Sequence, residues 1–187
     1  MLFTTLLLTG LASAAPALNA RQTTPELAPW EITVANGYQG GRPNSSPPTL
    51  GITIKQPNSI RLQTTSTGDA VLPPFEARCP SLLGGTETLC ITVGDAAAAY
   101  GNFTATLSGN MVDFTVKFKE TREETVYQQK YVRVYEGEQV FNQETGWRVK
   151  ICSAGGACLY EFRDGLPKVK QVLTESVGSC EEATTAQ

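Results

Sequence analysis

The chain has 187 residues, of which 41% are apolar, 18% charged and 8% aromatic, and it contains no histidine. Its length suits one globular domain with its own core. The missing histidine excludes Ser-His-Asp and Cys-His catalysis, His-ligated metals and imidazole pH switching. A net charge of −3 lacks the basic stripe that nucleic acid or an anionic membrane would require, so neither is expected as a partner.

Met1 to Ala12 reads MLFTTLLLTGLA, too short an apolar run for a bilayer, which needs about 20 residues. Ala12-Ser13-Ala14 follows with the small-x-small spacing of a signal-peptidase site. Residues 1–14 are therefore expected to be a signal peptide and the protein to be secreted, extracellular and soluble. Residues 15–29 are Pro- and Ala-rich without a period and read as a flexible tail. One domain is expected over 30–175, with a polar tail over 176–187.

Within that domain the alternation of apolar and polar residues predicts strands. The first are Glu31–Val34, Gly51–Lys55 and Ser59–Gln63. Asp95–Tyr100 could form one helical turn, with Asp95 as N-cap and Gly101 as stop. Asn102–Leu107 and Val112–Lys119 follow, the second with Val112, Phe114, Val116 and Phe118 on one face. Then come Thr125–Tyr135, Glu138–Phe141, Gly146–Ile151, Leu159–Phe162 and Val169–Leu173. Turn signals separate them at Pro57-Asn58, Gly109-Asn110, Glu136-Gly137, Thr145-Gly146 and Asp164-Gly165. Many short strands at this spacing predict an all-β, single-domain antiparallel β-barrel or sandwich.

The five cysteines are Cys79, Cys90, Cys152, Cys158 and Cys180. In an oxidising compartment they are expected to form disulfides, although the sequence alone leaves their connectivity open. Local turns favour Cys152 with Cys158 around Gly155-Gly156, and Cys79 with Cys90 around Gly84-Gly85, as hairpin disulfides. Each short loop makes its bond worth roughly 2–3 kcal/mol. Cys180 is then the odd thiol, able to link two chains as a homodimer or to displace this scheme by pairing at longer range. No C-x-x-C and no histidine is present, so no metal site and no cofactor are expected.

Paired carboxylates are the remaining route to catalysis, because glycoside hydrolysis can run on two acids. The candidates are Glu123 and Glu124, Glu136 with Glu138, and the isolated Asp69, Asp95, Asp113 and Asp164. The run Lys119–Glu124 reads as a solvated hairpin connection, and Glu136 and Glu138 flank a turn at Gly137. All are expected to be surface charges, and no catalytic residue is assigned. The period-2 rule places Tyr127, Tyr131, Arg133 and Tyr135 together on one face, with Val132 and Val134 turned to the core. An outward tyrosine-arginine strip is a candidate binding surface, since those residues dominate interface hot spots. Ordinary cross-strand aromatic pairing is the alternative. Asn44-Ser45-Ser46 and Asn102-Phe103-Thr104 fit the N-glycosylation sequon, and Asn102 is the better acceptor because Pro47 follows the first.

Trp30-Glu-Ile-Thr-Val34, Gly41-Arg-Pro-Asn-Ser-Ser-Pro47 and a strand ending at Pro57-Asn58 resemble small secreted fungal proteins of the Alternaria major-allergen family. The leader and the two short-range cysteine pairs are similar as well, and the likeness would span about Trp30 to Phe162. It implies a β-barrel released outside the cell, without known catalysis. It also implies allergen-like behaviour and binding of a small phenolic ligand or a plant defence protein. Cys79 with Cys90 and Cys152 with Cys158 are the positions that carry over. The family's N-terminal dimer cysteine has no counterpart here.

The sequence therefore points to a secreted, non-catalytic protein that acts by binding, in the manner of a host-interacting effector. The alternative is a small carboxylate-dependent hydrolase of plant cell-wall polysaccharide.

Overall fold

Val, Ile, Phe, Thr and Tyr alternate with polar residues along most of the chain, so nearly every segment is suited to a half-buried pleated surface. The computed structural model describes residues 27–41, 47–65, 68–82, 84–94, 101–126 and 128–178, and among them the chain forms only strands, turns and bends. The expected signal peptide, Asn44, Tyr127, Cys180 and the expected helical turn at Asp95–Tyr100 lie outside the described residues.

In chain order the strands begin with β1 (Trp30–Gln39), β2 (Thr49–Gln56), β3 (Ile60–Thr65), β4 (Gly68–Leu72) and β5 (Phe75–Leu82). They continue with β6 (Glu87–Leu89), β7 (Ile91–Val93), β8 (Gly101–Gly109), β9 (Phe114–Val126) and β10 (Gln129–Phe141). The last are β11 (Trp147–Cys152), β12 (Cys158–Phe162), β13 (Lys168–Val169) and β14 (Val172–Val177). One sheet has the order β11-β12-β1-β2-β5-β7, with β13 also paired to β1; the other has the order β14-β10-β9-β8-β6. All the strand pairs are antiparallel. Among the described residues neither sheet closes on itself, so the architecture fits a sandwich better than a barrel. A separate β3–β4 hairpin contributes Ile60, Leu62 and Leu72 to the same core.

Two aromatic groups fill the space between the sheets. Trp30 meets the rings of Phe103 and Phe118 edge-on, at 5.2 and 6.5 Å between centroids. Trp147 packs edge-on against Phe114 and Phe141, both at 5.6 Å, and donates its indole N–H to the Met111 carbonyl. Both tryptophans are buried, which removes them as aromatic platforms for a ligand.

The two disulfides are Cys79–Cys90 and Cys152–Cys158. The second closes the β11–β12 hairpin, where its two cysteines are direct cross-strand partners. The first does different work. Cys90 lies between β6, an edge of the five-stranded sheet, and β7, an edge of the other. Its bond to Cys79 on β5 pins the corner where the chain changes sheets, so the loop it closes is not a simple hairpin.

Several boundaries differ from the sequence-based expectation, each for a physical reason. Thr125–Tyr135 is not one strand. Val126 pairs directly with Gln129, and Gln128 adopts the left-handed backbone (φ 67°) that a two-residue hairpin loop demands. Val112 is 57% exposed, because an Asn110 side chain accepting from the Val112 and Asp113 amides holds that residue in the β8–β9 turn. Glu136-Gly137 is no turn but the middle of β10. Leu27 and Ala28, placed in a flexible tail, are tied down: Leu27 packs on the core and Ala28 exchanges two hydrogen bonds with the Asn58 amide. Ser176 and Val177, placed in the C-terminal tail, pair with Arg133 and Val132 as part of β14.

Gly137 shows how closely the layers approach. A Cβ there would lie 2.5 Å from the Lys170 carbonyl oxygen and 3.0 Å from the Trp30 ring. Gly137→Ala is accordingly expected to lower the unfolding free energy by about 1–3 kcal/mol through overpacking. Urea unfolding followed by tryptophan fluorescence reads this directly, and an unchanged midpoint would contradict the packing described.

Candidate functional site

The β9–β10 ladder decides what each face carries. Its register pairs Phe114 with Phe141, Phe118 with Gly137, Glu120 with Tyr135, Arg122 with Arg133 and Glu124 with Tyr131. Directly paired residues share a face, and the aromatic end of β9 points inward. Tyr131, Arg133 and Tyr135 must therefore point inward too, and they are 0%, 6% and 5% exposed. The expected outward strip is corrected on this point: these residues are packing groups, and Tyr127 is outside the described residues. Val134 is also buried, yet it lies on the opposite side and outside the core cluster. The Arg133 guanidinium donates to the carbonyls of Val132, Val177 and Gly178, which ties down the end of β14.

The same parity buries a charged pair that the sequence places in a solvated connection. Glu120 and Arg122 have fully buried side chains, with 3.1 Å between Oε1 and Nη1. The other carboxylate oxygen, Oε2, accepts from the Trp30 indole at 2.9 Å and from the Gln56 amide at 2.6 Å. Gln56 in turn donates to Gln171 at 2.9 Å, and Gln171 donates to the Ala28 carbonyl. Arg122 donates to the Pro73 carbonyl at 2.7 Å and lies over the Phe75 ring at 4.6 Å. Glu120 is thus a hub joining β1, β2, β9 and the link between β13 and β14. Burial pushes its carboxyl above the ordinary value of 4.5, against the opposing pull of Arg122 and of the hydrogen bonds from Gln56, Arg122 and Trp30. Burial likewise pushes Arg122 down, opposed chiefly by Glu120. Glu120 and Arg122 are fully buried, so the hub acts to hold the sheets together.

The outer side of the five-stranded sheet is different. Here an open depression of about 490 Å³ is lined by Glu87, Lys117, Lys119, Glu136, Glu138 and threonines of β8 and β14. The register sets these residues in rungs across the strands: Thr104–Lys119–Glu136–Val172, then Glu87–Thr106–Lys117–Glu138. Thr104 donates its hydroxyl to Glu87 at 2.6 Å. Lys117 and Lys119 form no ion pair among the described residues, unlike Lys130 with Glu123 or Lys150 with Glu161. Donors and acceptors of both signs therefore stand side by side, facing water. Glu136 and Glu138 belong to this face, whereas Asp113 is exposed in the β8–β9 turn and Asp164 in the bend after β12. Lys117, Lys119, Thr104, Thr106 and Glu87 were not singled out from sequence. Their signal is period 2, which becomes visible as a cluster only once the strand register is known. Among the described residues no group of three or more Cys, Asp or Glu side chains is placed to hold a metal ion.

Comparison with models of known families, with curated proteins and with solved structures gave no match.

The buried hub predicts a pH dependence with a definite sign. A carboxyl that holds its proton more tightly when folded loses stability as pH rises from 4.5 through its folded value. Glu120→Gln mimics the protonated form. It should match the parent below that range and become relatively more stable as pH rises above it. Urea midpoints of both proteins from acid to neutral pH test this. A variant that instead loses ground with rising pH would show that the Arg122 pairing outweighs burial.

Proposed function

We propose that the protein is a secreted, non-catalytic binding protein whose contact surface is the outer face of the five-stranded sheet. The observation that carries this reading is the depression of about 490 Å³ with its rungs of Glu, Lys and Thr, in which neither lysine closes an ion pair among the described residues. Such a surface offers matched hydrogen bonds and charges to a polar partner while burying little apolar area. A protein surface fits better than a small phenolic ligand, because no aromatic side chain is presented there apart from the inward-turned Phe118. The resemblance to secreted fungal β proteins of the Alternaria major-allergen family, with plant defence proteins as partners, belongs to this proposal and motivates the choice of plant extracellular fluid as a source. The two disulfides suit an oxidising, extracellular setting.

One observation favours a second reading. Glu136 and Glu138 are two residues apart on one strand face, hence about 7 Å apart along the strand. Two exposed carboxylates on neighbouring positions of one face are the residue type that glycoside hydrolysis uses.

Reversing the charge of Lys117 and Lys119 to Glu separates these readings. Immobilised wild type and a Lys150→Glu control on the other sheet should retain the same partner from plant extracellular fluid, and the double variant should lose it at least tenfold. Retention should also weaken with salt. Equal retention by all three proteins would remove the face from the proposal. Release of reducing ends from cell-wall polysaccharide, abolished by Glu136→Gln, would favour the hydrolase.

A further inference from the structure

Asn102, the acceptor of an Asn-Phe-Thr sequon, is exposed near the start of β8 and lies on the same outer face as Thr104 and Thr106. Phe103 between them is fully buried, and the Thr104 hydroxyl is engaged by Glu87. The folded sequon is therefore closed to an enzyme, and any glycan must be added to the nascent chain. The fold then fixes where the attachment point lies relative to the depression. Asn102 pairs with Thr121, Thr104 with Lys119 and Thr106 with Lys117. Successive same-face residues on a strand are about 7 Å apart. Lys119 therefore stands one such step from the Asn102 rung and Lys117 two.

We propose that Asn102 carries an N-linked glycan that walls one end of the depression, covering the Lys119–Glu136 rung and leaving the Lys117–Glu138 rung open. The proposal rests on the reading that the protein is secreted and that this face is its contact surface. A glycan is bulky and hydrated, so it narrows access to the face from that end. It limits the partner to one that approaches from the open end.

The test uses the full chain expressed in a eukaryotic host. Intact mass before and after enzymatic removal of N-glycans, with Asn102→Gln and Asn44→Gln variants, shows whether and where the glycan sits. Brief acylation of the secreted protein, followed by peptide mapping, then reads lysine accessibility. Lys119 should react several-fold more slowly with the glycan present, Lys117 should change less, and Lys150 and Lys168 should not change. Glycan removal or Asn102→Gln should abolish the difference, and Asn44→Gln should preserve it. Secreted protein with Asn102 unmodified overturns the glycan and leaves the binding face standing. Glycosylated protein with Lys119 as reactive as Lys150 overturns the wall. Retention of the chain inside the cell, without glycan, overturns the secreted reading and this inference with it.

Discussion

Everything in this fold depends on the register of one long hairpin. β9 and β10 are each 13 residues long and pair along their full length from a turn at Gln128. A slip by one residue would exchange every side chain between the core and the solvent. It would expose Phe114, Val116 and Phe118 and bury Lys117 and Lys119. The aromatic half of β9 makes that slip prohibitive, since a buried Phe or Val side chain is worth roughly 1.5–3 kcal/mol. The turn and the aromatic residues agree, and their agreement forces two acidic or basic residues, Glu120 and Arg122, into the interior.

That consequence is tolerated because the hub is assembled from four directions. A buried ion pair alone gains little, since desolvation offsets the attraction. Here the carboxylate also accepts from Trp30 and Gln56, and the guanidinium finds a carbonyl and an aromatic face. The ring of partners spans both sheets and the crossing at Gln171, so it constrains how the layers can be stacked. Apolar contacts would fill the same space without specifying the stacking. Cys79–Cys90 performs a similar service at the opposite edge, where the chain passes between sheets. Gly137, on β10 beside the hub strand, permits the close approach of Lys170 and Trp30.

The strand content was legible because period 2 is a local property. The register was not, because it is set by pairing between segments. Val112 to Lys119 carries its own alternation, and extending that alternation by two more steps would have placed Glu120 and Arg122 inward. The charge run Lys119–Glu124 masks this, since adjacent like and unlike charges read as a surface. Tyr131, Arg133 and Tyr135 fail for the related reason that either face of an isolated strand can be the inner one. Valines on the other face looked like the better core. The short strands β6 and β7, and β4 and β5 with their Pro73-Pro74 and Pro80 neighbours, lack enough alternation to stand out. The disulfides were legible as pairs, but the change of sheet at Cys90 was not, because sequence separation says nothing about which layer a cysteine joins.

The outer face of the five-stranded sheet is organised by the same register. Exposed opposite charges on neighbouring strands would contribute about 0.2–1 kcal/mol per pair if they closed on each other. On this face Glu136 stands opposite Lys119 and Glu138 opposite Lys117, yet neither lysine closes an ion pair among the described residues. Nearer the turn, Lys130, which stands opposite Thr125, does close diagonally on Glu123, at 2.7 Å. On the proposed reading, Lys117 and Lys119, exposed on a rigid sheet beside their complements, keep their hydrogen-bonding capacity for a partner. The sheet beneath them is fixed by the hairpin register and the Glu120 hub, so their spacing is set before any partner arrives. A partner of the proposed kind would then have to order only the side chains and not the backbone, which lowers the cost of binding at a polar surface.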